Sequence, residues 1–93
     1  MNQFKNHKVD TLGRTVLNKE LCLALGLKSG ETNVSLTAVG SLVIMQRTNS
    51  GGCSIDHLGR IIIPKEIRQK FNWSDGSELE VYQTDSIAIF KTA

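Results

Sequence analysis

The chain has 93 residues, of which 40% are hydrophobic and 22% are charged, and its formal net charge is +2. This length fits one compact domain and excludes a large multi-domain enzyme. A chain of this size buries only about 60 to 65% of its unfolded surface, so its core is thin and association between chains is expected. No apolar run approaches the ~18 residues of a membrane span, and residues 1–8 lack the apolar stretch of a secretory signal. We therefore predict a cytoplasmic protein that does not insert into membranes.

The residue types that usually carry catalysis or bind metals are scattered. Cys22 and Cys53 are 31 residues apart without a CxxC pair, and His7 and His57 are likewise far apart in the chain. Zinc sites are usually built from close ligand pairs, so we expect buried or inert thiols, with a disulfide or a metal ligand as the alternative. No Ser/His/Asp or paired-carboxylate arrangement suggests an active site. We predict no enzyme activity and no cofactor.

Charge is distributed unevenly along the chain. Residues 1–28 carry five basic and two acidic residues, and residues 55–70 carry four basic and two acidic ones. Residues 71–93 carry one basic and four acidic residues. If the two basic segments share a face, that face would bind anions. The alternative is ordinary solvated surface charge.

An internal repeat organises the chain. Asp10–Arg14 (DTLGR) returns as Asp56–Arg60 (DHLGR), and Lys19–Leu21 returns as Lys65–Ile67, in both cases 46 residues later. Beyond Gly30 and its counterpart Gly76 the spacing becomes 45. The predicted units are residues 1–47 and 55–93, joined by a Ser-Gly-Gly linker at 48–54.

The first unit reads as two strands, a short helix and two further strands. A strand ending at Val9 is followed by a turn, in which Asp and Gly suit tight backbone geometry, and by a strand at 15–17. Asn18 is a suitable N-cap, and Gly26 is suited to end the helix. The helical spacing predicts a buried stripe of three residues: Leu21, Ala24 and Leu25.

The second unit has the same order of elements. Pro64 suits the first helical position, and Asn72 or its neighbour should end the helix. The predicted buried stripe consists of Ile67, Lys70 and Phe71. Trp73 is interpreted as a core residue, with base stacking as the alternative. Because about 40 residues are too few for a stable core, we expect both units to pack into one core.

Three stretches of the second unit form a recognisable combination: residues 55–68 (IDHLGRIIIPKEIR), 71–76 (FNWSDG) and 79–81 (LEV). Together they resemble the AbrB/SpoVT/MazE family of bacterial DNA-binding domains. The first unit is similar but degenerate, with Asn18 in place of the proline and Cys22 in place of Arg68. The resemblance implies a mainly β fold with short helices: a swapped-hairpin β-barrel, formed here as an intramolecular pseudo-dimer of two ββαββ units.

The resemblance also implies a DNA-binding transcription regulator that docks on duplex DNA through its loops and helix starts. Arg14 and Arg60 follow the turn glycines, and a guanidinium can bind phosphate or a guanine edge. These arginines could instead hold the turn by pairing with Asp10 and Asp56. The remaining candidates, with surface solvation as their alternative, are Arg68, Lys65, Lys19, Lys8 and His7.

Because the two units differ, we expect an asymmetric binding surface and a target that need not be palindromic. The alternative functions are an antitoxin-like or other protein-interaction module with accessory DNA binding, and a nucleoid-type binder with little sequence preference. A toxin partner is less favoured, since the two residues after Lys91 are too few for the tail that antitoxins of this type usually carry. A homodimer of pseudo-dimers is a further expectation.

Overall fold

A computed structural model describes all residues, 1–93, and is mainly β with two seven-residue helices. Neither helix has the length and apolarity needed to cross a membrane. The elements in chain order are β1 (Asn2–Lys8), β2 (Arg14–Val16), α1 (Lys19–Leu25), β3 (Asn33–Val39), β4 (Leu42–Thr48), β5 (Cys53–Ser54), β6 (Arg60–Ile62), α2 (Lys65–Phe71), β7 (Glu78–Thr84) and β8 (Ile87–Thr92).

The strands form a six-stranded sheet and a separate two-stranded ribbon. The sheet has the order β1-β7-β8-β4-β3-β5, and the ribbon consists of β2 and β6. All pairings are antiparallel. Four of them join the first half of the chain to the second: β1 with β7, β2 with β6, β3 with β5 and β4 with β8. The two halves therefore fold as one unit.

Pairings on the two sides of the sheet correspond to one another. In β1, His7 lies opposite Leu79. At the repeat spacing the equivalent pair is Cys53 with Val34, and β5 makes that pair with β3. Across the molecule the Ile63 N–H donates to Gly13 O, and the Leu17 N–H donates to Gly59 O, both at 2.9 Å.

The core consists of 17 buried hydrophobic residues drawn from both halves. Alternate residues of β7 and β8, such as Leu79, Val81 and Phe90, point into it, as period-two alternation predicts. Trp73 is 4% exposed, and its indole N–H donates to Thr92 Oγ1 at 2.9 Å. The interpretation of Trp73 as a core residue is confirmed.

The helix ends follow the sequence signals closely. Asn18 is the N-cap of α1, and its side chain accepts hydrogen bonds from the Glu20 and Leu21 N–H groups at 2.8 and 3.2 Å. Gly26 and Asn72 end their helices in the left-handed conformation, with φ of 67° and 57°. Pro64, predicted at the first helical position, is instead the N-cap of α2, one residue before the helix begins at Lys65, because its ψ of 140° is not helical.

Three other local predictions differ from the structure. Ala24 and Lys70 are exposed, because the packing of each helix on the core buries a narrower stripe than predicted: Leu21 and Leu25 in α1 and Ile67 in α2. Within the predicted linker 48–54, Thr48 ends β4 and Cys53–Ser54 form β5. The connection without strand structure is therefore only residues 49–52.

Candidate nucleic-acid interface

The two Asp-x-Leu-Gly-Arg loops have the same hydrogen-bonded structure. In the first loop, Asp10 Oδ1 accepts from the backbone N–H groups of Leu12 and Arg14 at 2.9 and 2.8 Å. In the second, Asp56 Oδ1 accepts from Leu58 and Arg60 at the same distances. Each aspartate thus organises the backbone of the turn that follows it.

Each aspartate also orients the arginine of its own loop. Arg14 Nε donates to Asp10 Oδ2 at 2.8 Å, and Arg60 Nε donates to Asp56 Oδ2 at 2.6 Å. The hydrogen bond from the arginine backbone N–H is the main cause that lowers the pKa of both carboxyls, and that of Asp56 falls to about 2. Both carboxylates are therefore charged at neutral pH. The turn-holding role considered from the sequence is present, and it leaves the terminal guanidinium nitrogens without a protein partner.

The β2–β6 ribbon places both arginines on one outward face. The pairing sets Arg14 opposite Ile62 and Val16 opposite Arg60. These four residues share a face because side chains alternate along a strand. Thr15 and Ile61 occupy the opposite face and are buried, whereas Val16 and Ile62 are each 58% exposed. The structure therefore brings Arg14 and Arg60 together, separated by two exposed aliphatic side chains.

Arg68 lies against the loop of the opposite half. Its Nε donates to Ile63 O at 2.9 Å. Its guanidinium covers Gly13, where a Cβ atom would lie 2.5 Å from Arg68 Cζ. Arg68 is consequently half-buried and braces the first loop. Of the predicted binding residues, it has the most evident structural role.

The corresponding place beside the second loop is open. Cys22 occupies the repeat position of Arg68, and its short side chain does not reach Gly59: apart from the chain neighbours, a Cβ atom placed on Gly59 would meet no side chain within 4 Å. A cleft of about 1000 Å³ lies here, with Cys22 and Gly59 in its wall. Burial raises the pKa of the Cys22 thiol, so the thiol is uncharged at neutral pH. The two loops therefore differ in their surroundings, since Arg68 braces the first and a cleft lies beside the second.

The predicted lysines flank the ribbon on both sides. Lys8 and Lys19 line this cleft, together with Lys5 and His57. Lys65, the first residue of α2, lies beside Arg68 on the other side. Sequence reasoning missed Lys5 and His57. His57 stands inside the repeated loop motif, and that position was the signal that could have identified it.

His7 is a correction to the predicted set. It is 5% exposed, and its ring contacts Lys5 O through Nδ1 at 3.1 Å. Its Nε2 accepts the Asn18 N–H at 3.0 Å, so Nδ1 carries the proton that is shared with the carbonyl. Burial lowers the pKa of His7 and keeps the ring neutral. With both nitrogens in use, His7 holds the start of α1 and has no free group for a phosphate.

The fold and these loops define a small β protein with a two-stranded ribbon that carries paired arginines. Residues 55–92 match the family described as "Antidote-toxin recognition MazE, bacterial antitoxin". The match covers fewer than half of the residues and supports the AbrB/MazE-type family for the second half of the chain. Neither the curated proteins nor the solved structures contain a significant match to the chain.

Proposed function

We propose that the protein is a DNA-binding transcription regulator that docks on duplex DNA through the β2–β6 ribbon and the adjacent helix starts. In this proposal the two halves are tandem copies of one ββαββ unit, which together form a swapped-hairpin barrel as an intramolecular pseudo-dimer. The corresponding strand pairings on the two sides of the sheet support the pseudo-dimer. The family match of residues 55–92 supports a role that involves DNA or a protein partner.

One observation carries the proposal: the half-buried side chains of Arg14 and Arg60 lie on the same outward face of the ribbon, and each is held by a carboxylate at its Nε. A guanidinium oriented in this way presents its terminal nitrogens in a fixed direction, which suits bidentate contact with phosphate or with guanine O6 and N7. A two-stranded ribbon is also narrow enough to enter the major groove. The ribbon therefore combines a suitable shape with pre-oriented donors.

The flanking lysines supply the part of binding that does not depend on sequence. Lys8 and Lys19 lie on one side of the ribbon and Lys65 on the other, so they can contact phosphates on both flanks. Such contacts fix register and orientation, whereas base contacts from the ribbon would provide selectivity. Because one flank of the ribbon has Arg68 and the other has a cleft, the contacts that the two flanks make with DNA should differ.

The test is fluorescence anisotropy of a labelled random-sequence duplex pool over a series of salt concentrations. We compare wild type with the Arg14→Ala/Arg60→Ala double variant. If both arginines neutralise phosphates, the slope of log K against log salt should decrease by about 1.8, because each neutralised phosphate contributes about 0.9. The matched control is Lys70→Ala/Lys91→Ala, which removes two exposed charges outside the ribbon and the helix starts.

Equal affinity and slope for both double variants would refute docking through the ribbon. No binding by wild type even at low salt would refute the DNA-binding proposal. Circular dichroism of each variant distinguishes weaker DNA binding from unfolding, which is necessary because the arginines also brace their loops. A wild-type protein that binds all duplexes equally would instead be a nucleoid-type binder.

A second candidate function is an antitoxin-like protein-interaction module with accessory DNA binding. The observation that favours it is the description of the matched family as a bacterial antitoxin that recognises a toxin. The exposed apolar groups of the ribbon, Val16 and Ile62, would suit a protein surface as well. Co-purification of a stoichiometric partner that protects the ribbon from solvent, in place of DNA binding, would favour this function.

A further inference from the structure

The two sides of the six-stranded sheet differ in how completely their outer strands are covered. β1 pairs along nearly all of β7, from Asn2 opposite Gln83 to Lys8 opposite Glu78. β5 has only two residues and pairs with β3 at Asn33 and Val34 alone. The segment Ser35–Val39 therefore has β4 on one side and no strand on the other.

The length of the connection between the halves explains this gap. At the repeat spacing of 46, the residues that correspond to Asn2–Phe4 are Thr48–Ser50. Thr48 instead pairs with Asn33 as the last residue of β4, and residues 49–52 turn the chain into β5. Four residues suffice only for the turn. The chain consequently has no segment left to cover the outer edge of β3.

The gap also leaves an apolar side chain less protected than its counterpart. Phe4 of β1 lies opposite Val81, and Val81 is 0% exposed. Leu36 corresponds to Val81 at the repeat spacing of 45, but it has no residue in the place of Phe4 and is only half-buried. Pairing of another strand along this edge would extend the cover over Leu36.

The open edge lacks the features by which proteins prevent strand addition. The outer strand β1 carries Lys5 and Lys8 and has a register irregularity between Phe4 and His7. Charged side chains, proline and bulges are the usual means of blocking an edge. β3 has the sequence NVSLTAV, with no charge, no proline and no break in its pairing to β4.

We propose that Ser35–Val39 pairs antiparallel with the same segment of a second copy of this chain, so that two six-stranded sheets join across a two-fold axis. An uncharged strand is self-complementary in this arrangement, since Thr37 on the two-fold axis meets its own counterpart and the residues on either side of it meet one another without charge repulsion. The resulting dimer presents two DNA-facing ribbons, but its formation does not depend on DNA binding.

Sedimentation velocity of the DNA-free protein, from low micromolar to millimolar concentration, tests the proposal. Wild type should show a concentration-dependent monomer–dimer equilibrium. Thr37→Lys places two like charges opposite one another at the centre of the new pairing and should weaken dimerisation about fivefold. The control is Ser86→Lys, which adds the same charge at an exposed turn between β7 and β8 and should leave dimerisation unchanged.

Wild type that stays monomeric over the whole range would overturn the proposal, as would a dimer that Thr37→Lys and Ser86→Lys affect equally. Hydrogen exchange of wild type provides an answer even if Thr37→Lys fails to fold. Protection of amides within residues 35–39 should rise with protein concentration. A dimer without that change would have another interface and would also refute the proposal.

Discussion

Replacing each turn glycine by alanine separates the cost of the turn conformation from the contact made by Arg68. Gly13 and Gly59 stand at equivalent places in their loops, and both have φ of +78°. A Cβ on Gly13 would lie 2.5 Å from Arg68 Cζ, whereas the atom nearest to a Cβ on Gly59 is Leu17 O at 4.0 Å. The pair therefore differs mainly in what covers the glycine.

The left-handed conformation costs an alanine about 1–2 kcal/mol at either position. At Gly13 the Arg68 guanidinium must also move, which removes the 2.9 Å hydrogen bond from its Nε to Ile63 O. That bond contributes about 1 kcal/mol. We expect Gly59→Ala to lower the free energy of unfolding by about 1–2 kcal/mol and Gly13→Ala by about 2–3 kcal/mol.

Urea denaturation of both single variants gives the difference directly. The same measurement in an Arg68→Ala background completes a double-mutant cycle, in which the excess cost of Gly13→Ala should vanish. Equal costs in the wild-type background would show that Arg68 does not brace the first loop. An excess that persists without Arg68 would have the same meaning.

Three further predictions concern pH and the DNA target. Because burial lowers the pKa of His7, the ring takes up a proton more readily in the unfolded chain than in the folded one as the pH falls, so the free energy of unfolding should decrease below about pH 6.5. In denaturation experiments at decreasing pH, His7→Gln should remove this decrease and the control His57→Gln should retain it. Because the pKa of Asp56 is lowered to about 2 in the folded protein, the carboxylate stabilises the fold above pH ~3.8, and this stabilisation is lost as the pH falls towards about 2. The free energy of unfolding should therefore differ less between pH 3 and pH 7 for Asp56→Asn than for wild type, as measured by denaturation. Sites selected from random DNA should be non-palindromic, because the two flanks of the ribbon differ, and strictly palindromic sites would contradict this expectation unless two chains bind together.

Several features followed from the sequence because they depend on local chemistry. The helix caps at Asn18, Gly26 and Asn72 require only the side chain or backbone freedom of one residue. The strand alternation around Leu79 depends on neighbouring residues alone. The repeat spacing likewise identifies Arg14 and Arg60 as an equivalent pair, whereas the pairing of β2 with β6 places them on one face.

Other features were decided by contacts between distant residues. The residues around His7 in β1 are mostly polar, as in a surface strand. Only the packing of β1 against the start of α1 buries the His7 ring and engages both of its nitrogens. Arg68 reaches Gly13 because the two halves cross, a contact between residues far apart in the chain. The open edge of β3 arises because residues 49–52 are used by the turn into β5. Local sequence thus determined the elements and their caps. The packing of one half on the other decided which basic side chains are free to contact a ligand, because that packing brings residues from both halves of the chain into contact.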